Sequence, residues 1–277
     1  MKSLSPQQRE LFHWIKERES IRAKKEAGLP KPWTQDRILM SYKFCNVNRE
    51  DDRVTRWIFR SWLEPYSDSP NIAFAVCVAR HFNWPDTLDD IGFPHQWDAE
   101  KTRSILKARK SQGKKVYTGA YTVSTGGLSM EKIDYSVDHV FTPLFERIRN
   151  PRSGETLQSY WEYLQTQTGF ASFMAGQVVA DLKFIEPLRS ATDWLTWAPL
   201  GPGSMRGLNR YHDRKLKSII SQDQGHVELL DIQQQIREEL AMSLPLHNVQ
   251  NCMCEYDKYI RLKYENGHVR SKYNGAH

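Results

Sequence analysis

The stretch Lys43-Phe44-Cys45-Asn46-Val47-Asn48-Arg49-Glu50-Asp51-Asp52-Arg53-Val54-Thr55-Arg56-Trp57 mixes guanidinium, carboxylate and amide groups at short range. Wound as an α-helix, at about 100° per residue, it sends Val54, Trp57, Ile58, Ser61 and Trp62 to one side. Arg49, Asp52, Arg53, Arg56 and Arg60 gather on the other. Guanidinium forks match phosphate and phosphoester oxygens, and a carboxylate among them can orient a fork or take a proton. Like charges on one helix face repel, and a bound anion offsets that cost. The plain alternative is a solvated face laced with intrahelical ion pairs.

A second candidate is Leu200-Gly201-Pro202-Gly203-Ser204-Met205-Arg206-Gly207. Its glycines let backbone approach a ligand, Ser204 can cap the helix that follows, and Arg206 adds charge. Free N–H groups at a helix start favour a phosphate. An ordinary helix–loop–helix turn would carry the same punctuation. No GxxxxGK occurs, so a P-loop kinase is not expected. A third stretch, Cys254-Glu255-Tyr256-Asp257-Lys258-Tyr259-Ile260-Arg261-Leu262-Lys263-Tyr264, continues to Arg270-Ser271-Lys272-Tyr273. Basic residues alternating with tyrosines suit phosphate neutralisation and base stacking. An amphipathic terminal helix with snorkelling lysines reads alike.

The elements that must position these groups are helical. Leu11, Trp14, Ile15 and Ile21 set a helical period over residues 5–27, closed by Pro30 and Pro32. Thr34 sits where a cap would open a helix bearing Ile38, Leu39 and Tyr42. Residues 72–79 are apolar all round, as in a helix sunk in a core, and Trp84-Pro85-Asp86 ends it and caps the next. Further helical patterns cover about 99–110, 131–147, 156–167, 171–184, 227–241 and 249–262. Strand-like alternation appears only over 115–123. The expectation is a mainly α, multi-helical fold in two lobes with at most a short β-hairpin. The turn-forming cluster at Asn150–Gly154 divides them, into 1–150 and 151–277, as one catalytic unit with a ligand cleft between helical lobes.

Composition sets the bounds. A chain of 277 residues with 39% hydrophobic residues suits a globular protein, and no apolar run is long enough to span a bilayer. The start lacks a signal-peptide pattern, so a cytoplasmic location is expected. The four cysteines fit a reducing compartment, and Cys252-Met253-Cys254 lacks the spacing and partners of a zinc site. No metal or cofactor is expected. The net charge of +6 is compatible with nucleic acid.

The motifs at 43–53, Thr118-Gly119-Ala120-Tyr121, 200–207 and 254–259 together resemble the phage thymidine-hypermodification transferases. These are the amino acid:DNA transferases, or α-glutamyl/putrescinyl thymine pyrophosphorylases, whose helical domain is related to one found in 5-hydroxymethyluracil DNA kinases. The resemblance runs from about Arg37 to Tyr273. It implies a helical, helix-hairpin-helix glycosylase-like fold and a reaction on phage DNA. There an amine, putrescine or the α-amino group of an amino acid, replaces the (pyro)phosphate of phosphorylated 5-hydroxymethyluracil. The product shields the DNA from host nucleases.

That chemistry needs a flipped or single-stranded nucleotide, cations for the leaving phosphate, and a base for the amine. Asn46, Arg49, Arg53, Arg56 and Tyr121 are the expected phosphate- and base-binding residues. Asp52 and Asp181 are the candidate bases. Gly201, Gly203, Ser204, Arg206 and Lys258 are the expected DNA contacts. Cys45 is a further candidate, by thiolate addition to C6 of the ring, set against the ordinary small buried cysteine. Tyr117 and Tyr121 can line a base pocket or simply pack. Two other classes stay open: a glycosylase for a modified base, and a non-catalytic helical DNA-binding partner of a 5-hydroxymethyluracil kinase.

Overall fold

The computed structural model describes residues 4–119, 123–265 and 267. Helices follow one another along the chain: α1 (Pro6–Glu26), α2 (Arg37–Ser41), α3 (Arg53–Ile58), α4 (Ile72–Phe82), α5 (Pro85–Ile91) and α6 (Ala99–Ser111). Then come α7 (Lys132–Asp134), α8 (Thr142–Arg147), α9 (Leu157–Gln165), α10 (Ser172–Leu182), α11 (Pro202–Tyr211), α12 (Gln222–Leu240) and α13 (Leu246–Tyr264). Among the described residues there is no strand, so the mainly α expectation holds. Residues 115–119 and 123 lie outside any regular element, and 120–122, including Tyr121, lie outside the described residues.

The chain folds as two compact units, 1–52 with 195–277, and 53–194. The expected division at 150/151 therefore differs from the observed one at both of its breaks. Asn150 explains why its turn separates nothing: its side chain accepts from the Ala73 N–H at 3.1 Å and donates to the Ser69 carbonyl at 3.0 Å. Those bonds tie the turn into the second unit.

The first unit gathers α1, α2, α11, α12 and α13 around one core. Leu11, Trp14, Ile15, Leu208, Leu229, Ile232, Val249, Met253 and Tyr259 are all buried in it. Ser5 caps α1 in a reciprocal pair with Gln8, and Pro6 takes the first helical position. Asp36, rather than Thr34, caps α2, accepting from Ile38 and Leu39 at 2.8 and 3.1 Å. The Thr34 hydroxyl instead receives the Asp36 N–H and bonds Glu17. Helix α12 begins before the apolar period does, because Ser221 accepts from Gln224 and starts it at Gln222.

Helices α11 and α13 cross closely enough to require glycine. A Cβ on Gly207 would lie 2.2 Å from the Met253 carbonyl oxygen, and one on Gly203 would lie 3.0 Å from Cys254 Sγ. Backbone cannot retreat as a flexible side chain can. Gly207→Ala should therefore destabilise the protein by about 1–3 kcal/mol or more, measured by urea unfolding. An unchanged midpoint would contradict the crossing.

The second unit is built on α4, whose residues are buried throughout, with α10 packed beside it and α9 against α10. Its two long helical patterns each contain a π turn, Phe59–Leu63 after α3 and Tyr135–Phe141 between α7 and α8. No helix among the described residues is long and apolar enough to cross a membrane.

Candidate functional site

The single helix expected over residues 49–62 does not form. Arg49–Asp51 is one turn of 3-10 helix, Asp52 is extended (φ −72°, ψ 136°), and α3 starts at Arg53. The break has a local cause: Asp52 turns its carboxylate back to accept the Asn46 N–H at 2.9 Å, and Asn46 Nδ2 donates to the Asp51 carbonyl at 2.9 Å. The stripe is thereby divided. Arg49 and Asp52 belong to the first unit, Arg53, Arg56 and Arg60 to the second.

In the first unit, α13 is the spine of the site. Asn248, Asn251, Glu255 and Lys258 recur at helical spacing and hold the 43–52 segment. Asn248 Nδ2 donates to Glu50 at 2.9 Å, Asn251 Nδ2 to the Asn46 carbonyl at 3.4 Å, and Glu255 accepts the Cys45 N–H at 3.1 Å. Lys258 bonds the Lys43 carbonyl and sits 4.5 Å from the centre of the Phe44 ring. From α1, buried Arg18 donates to Asn46 Oδ1 at 2.8 Å and to the Cys45 carbonyl at 3.1 Å. Asn46 is thus held from both sides of its side chain.

Asp52 is the group this frame prepares. Burial raises its carboxyl from 3.8 to about 6, against the backbone bond from Asn46 and the attraction of Arg49 and Arg18. A carboxylate that titrates near neutrality beside a guanidinium is suited to take a proton. Cys45 is different. Burial, with Glu255 and Asp52 nearby, pushes its thiol well above the usual range, so it stays protonated and poorly nucleophilic.

The neighbouring stripe of α13 holds the Gly-Pro-Gly loop. Gln250 donates to Ser204 Oγ at 3.2 Å, and Asp257, buried, accepts from Arg206 Nε at 2.9 Å and Arg210 Nε at 2.7 Å. Ser204 is the third residue of α11 rather than its cap. Gly201 is the cap, and the Ser204 hydroxyl reaches back to accept its N–H at 3.0 Å. Gly203 serves the α11–α13 packing, which accounts for it without a phosphate. Gly201 has open space where a Cβ would stand, and the Arg206 side chain is 43% exposed.

Gly201 is therefore the position that isolates a phosphate contact. Asp is a good cap, yet it sets a negative charge where a phosphate would sit. Gly201→Asp should leave stability unchanged or raised and weaken DNA binding about tenfold, while Gly201→Ala stays within about twofold. Equal affinities by fluorescence anisotropy would remove the loop from the interface.

The other expected residues have different surroundings. Asp181 is buried in the second unit, its carboxylate gripped by both Nε and Nη2 of Arg80, which also donates to Thr55 Oγ1 at 2.9 Å. That is a structural ion pair, not an available base. Arg53 lies over Trp84, 5.8 Å from its ring centre, with Lys115 at 4.5 Å. Arg56 stands on α3 in the same unit. Tyr117 packs on Phe82 with ring centres 5.3 Å apart and bonds Ser136 at 3.0 Å, and burial raises its hydroxyl to about 12. Tyr256 and Tyr259 are buried in the core, whereas Tyr264, at the end of α13, is exposed. Sequence reasoning missed Arg18, Asn248, Asn251, Glu255 and Asp257. The signal was the i, i+3, i+7, i+10 polar period running through an otherwise core-forming helix.

The fold and this centre define a protein that is helical throughout its described regular elements, with a half-buried amide–carboxylate–guanidinium cluster. The chain belongs to the family of the 5-hmdU DNA kinase helical domain, whose model matches residues 5–268. It is 26% identical over 267 residues to a 5-hmdU DNA kinase of Bacillus phage SP10, a match covering 84% of this chain and 41% of that relative. The chain thus spans about two fifths of the length of the curated relative it matches. No solved structure matches it.

Proposed function

We propose that this protein acts in thymine hypermodification of phage DNA, as the transferase that replaces the (pyro)phosphate of phosphorylated 5-hydroxymethyluracil with an amine. The amine nitrogen bonds to the exocyclic methylene, the methylene C–O bond breaks, and (pyro)phosphate leaves with the electron pair. The amine's proton passes to Asp52, and Arg49 balances charge beside it. The observation that carries the reading is Asp52, held by Asn46 and raised to about 6 within the motif that bears the family resemblance. Family membership supports the reading, because the matching family is the helical domain of 5-hmdU DNA kinases. DNA carrying the phosphorylated base is the expected substrate, and an amino acid or putrescine the expected donor. Host restriction evasion is the expected benefit, and the host cytoplasm the expected place.

Incubating phosphorylated 5-hydroxymethyluracil DNA with a panel of amines, then weighing the nucleosides, tests this. A heavier, amine-bearing nucleoside with its sugar–base bond intact is the expected result. Abasic sites would replace the reading with a glycosylase.

One observation favours a second reading. The phage SP10 relative is a kinase, and the present chain matches only part of it while lacking GxxxxGK. A helical DNA-binding partner of such a kinase would bind DNA, leave its mass unchanged with every amine, and stimulate phosphorylation in trans.

A further inference from the structure

Ile219 is the most exposed large apolar residue among the described residues, at 97%, while its neighbour Ile220 is buried. Single exposed apolar side chains are common on protein surfaces. This one differs in how it is held and in what surrounds it. It lies in the segment joining α11 to α12, and buried Asn209 of α11 fixes that segment from beneath. Asn209 Nδ2 donates to the Leu216 carbonyl at 3.2 Å and to the Ser218 carbonyl at 2.9 Å. The Ser218 N–H closes a turn on the Lys215 carbonyl at 2.9 Å. Ile220 anchors the far side in the core, and Ser221 caps α12 immediately after it. An apolar side chain is thus presented to solvent on a backbone clamped at both ends.

Its surroundings are strongly charged: Lys215 and Lys217 precede it, both exposed, with exposed Asp213 before them and Asp223 in the first turn of α12. Gln222, in the first turn of α12, grips the Gly-Pro-Gly loop by both backbone groups of Leu200, at 3.0 and 3.1 Å. That clasp brings the N-termini of α11 and α12 together, next to the Ile219 segment, within one unit.

We propose that Ile219 is a wedge that enters the base stack of duplex DNA while the flanking lysines and the paired helix starts hold the backbone. Apolar wedges between base steps unstack and kink a duplex. An enzyme working on an exocyclic methylene must remove its base from the stack, and a rigid wedge fills the gap left behind. The inference rests on the DNA reading above and assigns the part of the surface that distorts the helix.

The test uses the full chain and a duplex carrying 2-aminopurine beside a central 5-hydroxymethyluridine. Anisotropy reports binding, and 2-aminopurine fluorescence reports unstacking. Binding should raise the fluorescence at least about twofold. Ile219→Ala should abolish that rise with affinity within about threefold, and Ile219→Leu should restore it. Lys215→Gln with Lys217→Gln should reduce the slope of log affinity against log salt by about 2. Binding without a fluorescence rise, or a rise unchanged in Ile219→Ala, overturns the wedge and leaves the DNA reading standing. No binding of the duplex removes both. A sedimentation coefficient that changes in Ile219→Ala, with no unstacking by the wild type, makes the residue a protein contact instead.

Discussion

Asp52→Asn should lower single-turnover transfer by about 10²–10⁴-fold, the range associated with losing a positioned base. That corresponds to roughly 3–5 kcal/mol of barrier. Asparagine keeps an acceptor for the Asn46 N–H, so the 43–52 segment should stay in place. The wild-type rate should rise with pH through about 6 and level off above it, because the ionised carboxylate is the active form. The variant should lose that limb.

Stability should move the other way. The folded carboxyl titrates at about 6 and the unfolded one near 3.8, so the folded state holds the proton more tightly between these values. Asp52 therefore costs little below about pH 4, and its penalty grows as pH rises to 6. Removing the charge should stabilise the protein by about 1–3 kcal/mol at pH 8 and hardly at all at pH 4. A variant that is both stable and inactive separates chemistry from folding. Near-native transfer by a folded Asp52→Asn protein would remove Asp52 from the reaction.

Asp181→Ala should cost about 3–5 kcal/mol, the penalty of leaving one member of a buried ion pair alone. Arg80, whose side chain is 5% exposed, loses the carboxylate that its Nε and Nη2 both bond, while Thr55 and Asn83 are neutral acceptors. Against a total of roughly 5–15 kcal/mol, such a loss takes a large share of the stability. The measurement is a urea midpoint, with Asp181→Asn as a milder change that keeps one acceptor. If Asp181→Asn is stable yet abolishes transfer, Asp181 returns as a reacting group.

The sequence exposed the helices wherever a cap and an apolar period coincide. Ser5, Gln8 and the Leu11–Ile21 period delimit α1, and the unbroken apolar run of α4 marks a buried helix. It failed where the decisive bond is local but not periodic. Asp52 fits a helical stripe at the level of spacing, and only its bond to the Asn46 N–H shows that the helix starts one residue later. The π turns are equally hidden, because an i to i+5 backbone bond leaves no mark in residue type, yet each rotates the side chains beyond it. At the candidate site, residue chemistry marked Arg49 and Asp52, and the family resemblance added Asn46. The groups that hold them, Arg18 and the polar stripe of α13, come from segments remote in sequence, so spacing within one motif does not reveal them. Gly203 shows the converse error: its motif suggested a ligand, and its nearest neighbour is Cys254.

The discontinuity of the first unit has a consequence for how the protein is made. Residues 53–194 form an uninterrupted stretch whose internal packing can form once it has left the ribosome. The first unit must wait, because α1 and the Asp52 segment have their partners on α11, α12 and α13. Vectorial synthesis therefore delivers the inserted unit first, while α1 emerges with its apolar face uncovered. A nascent chain stopped before residue 246 has no Asn248, Asn251 or Glu255, and so lacks the groups that hold the 43–52 segment. The surroundings of Asp52 are complete only when α13 docks.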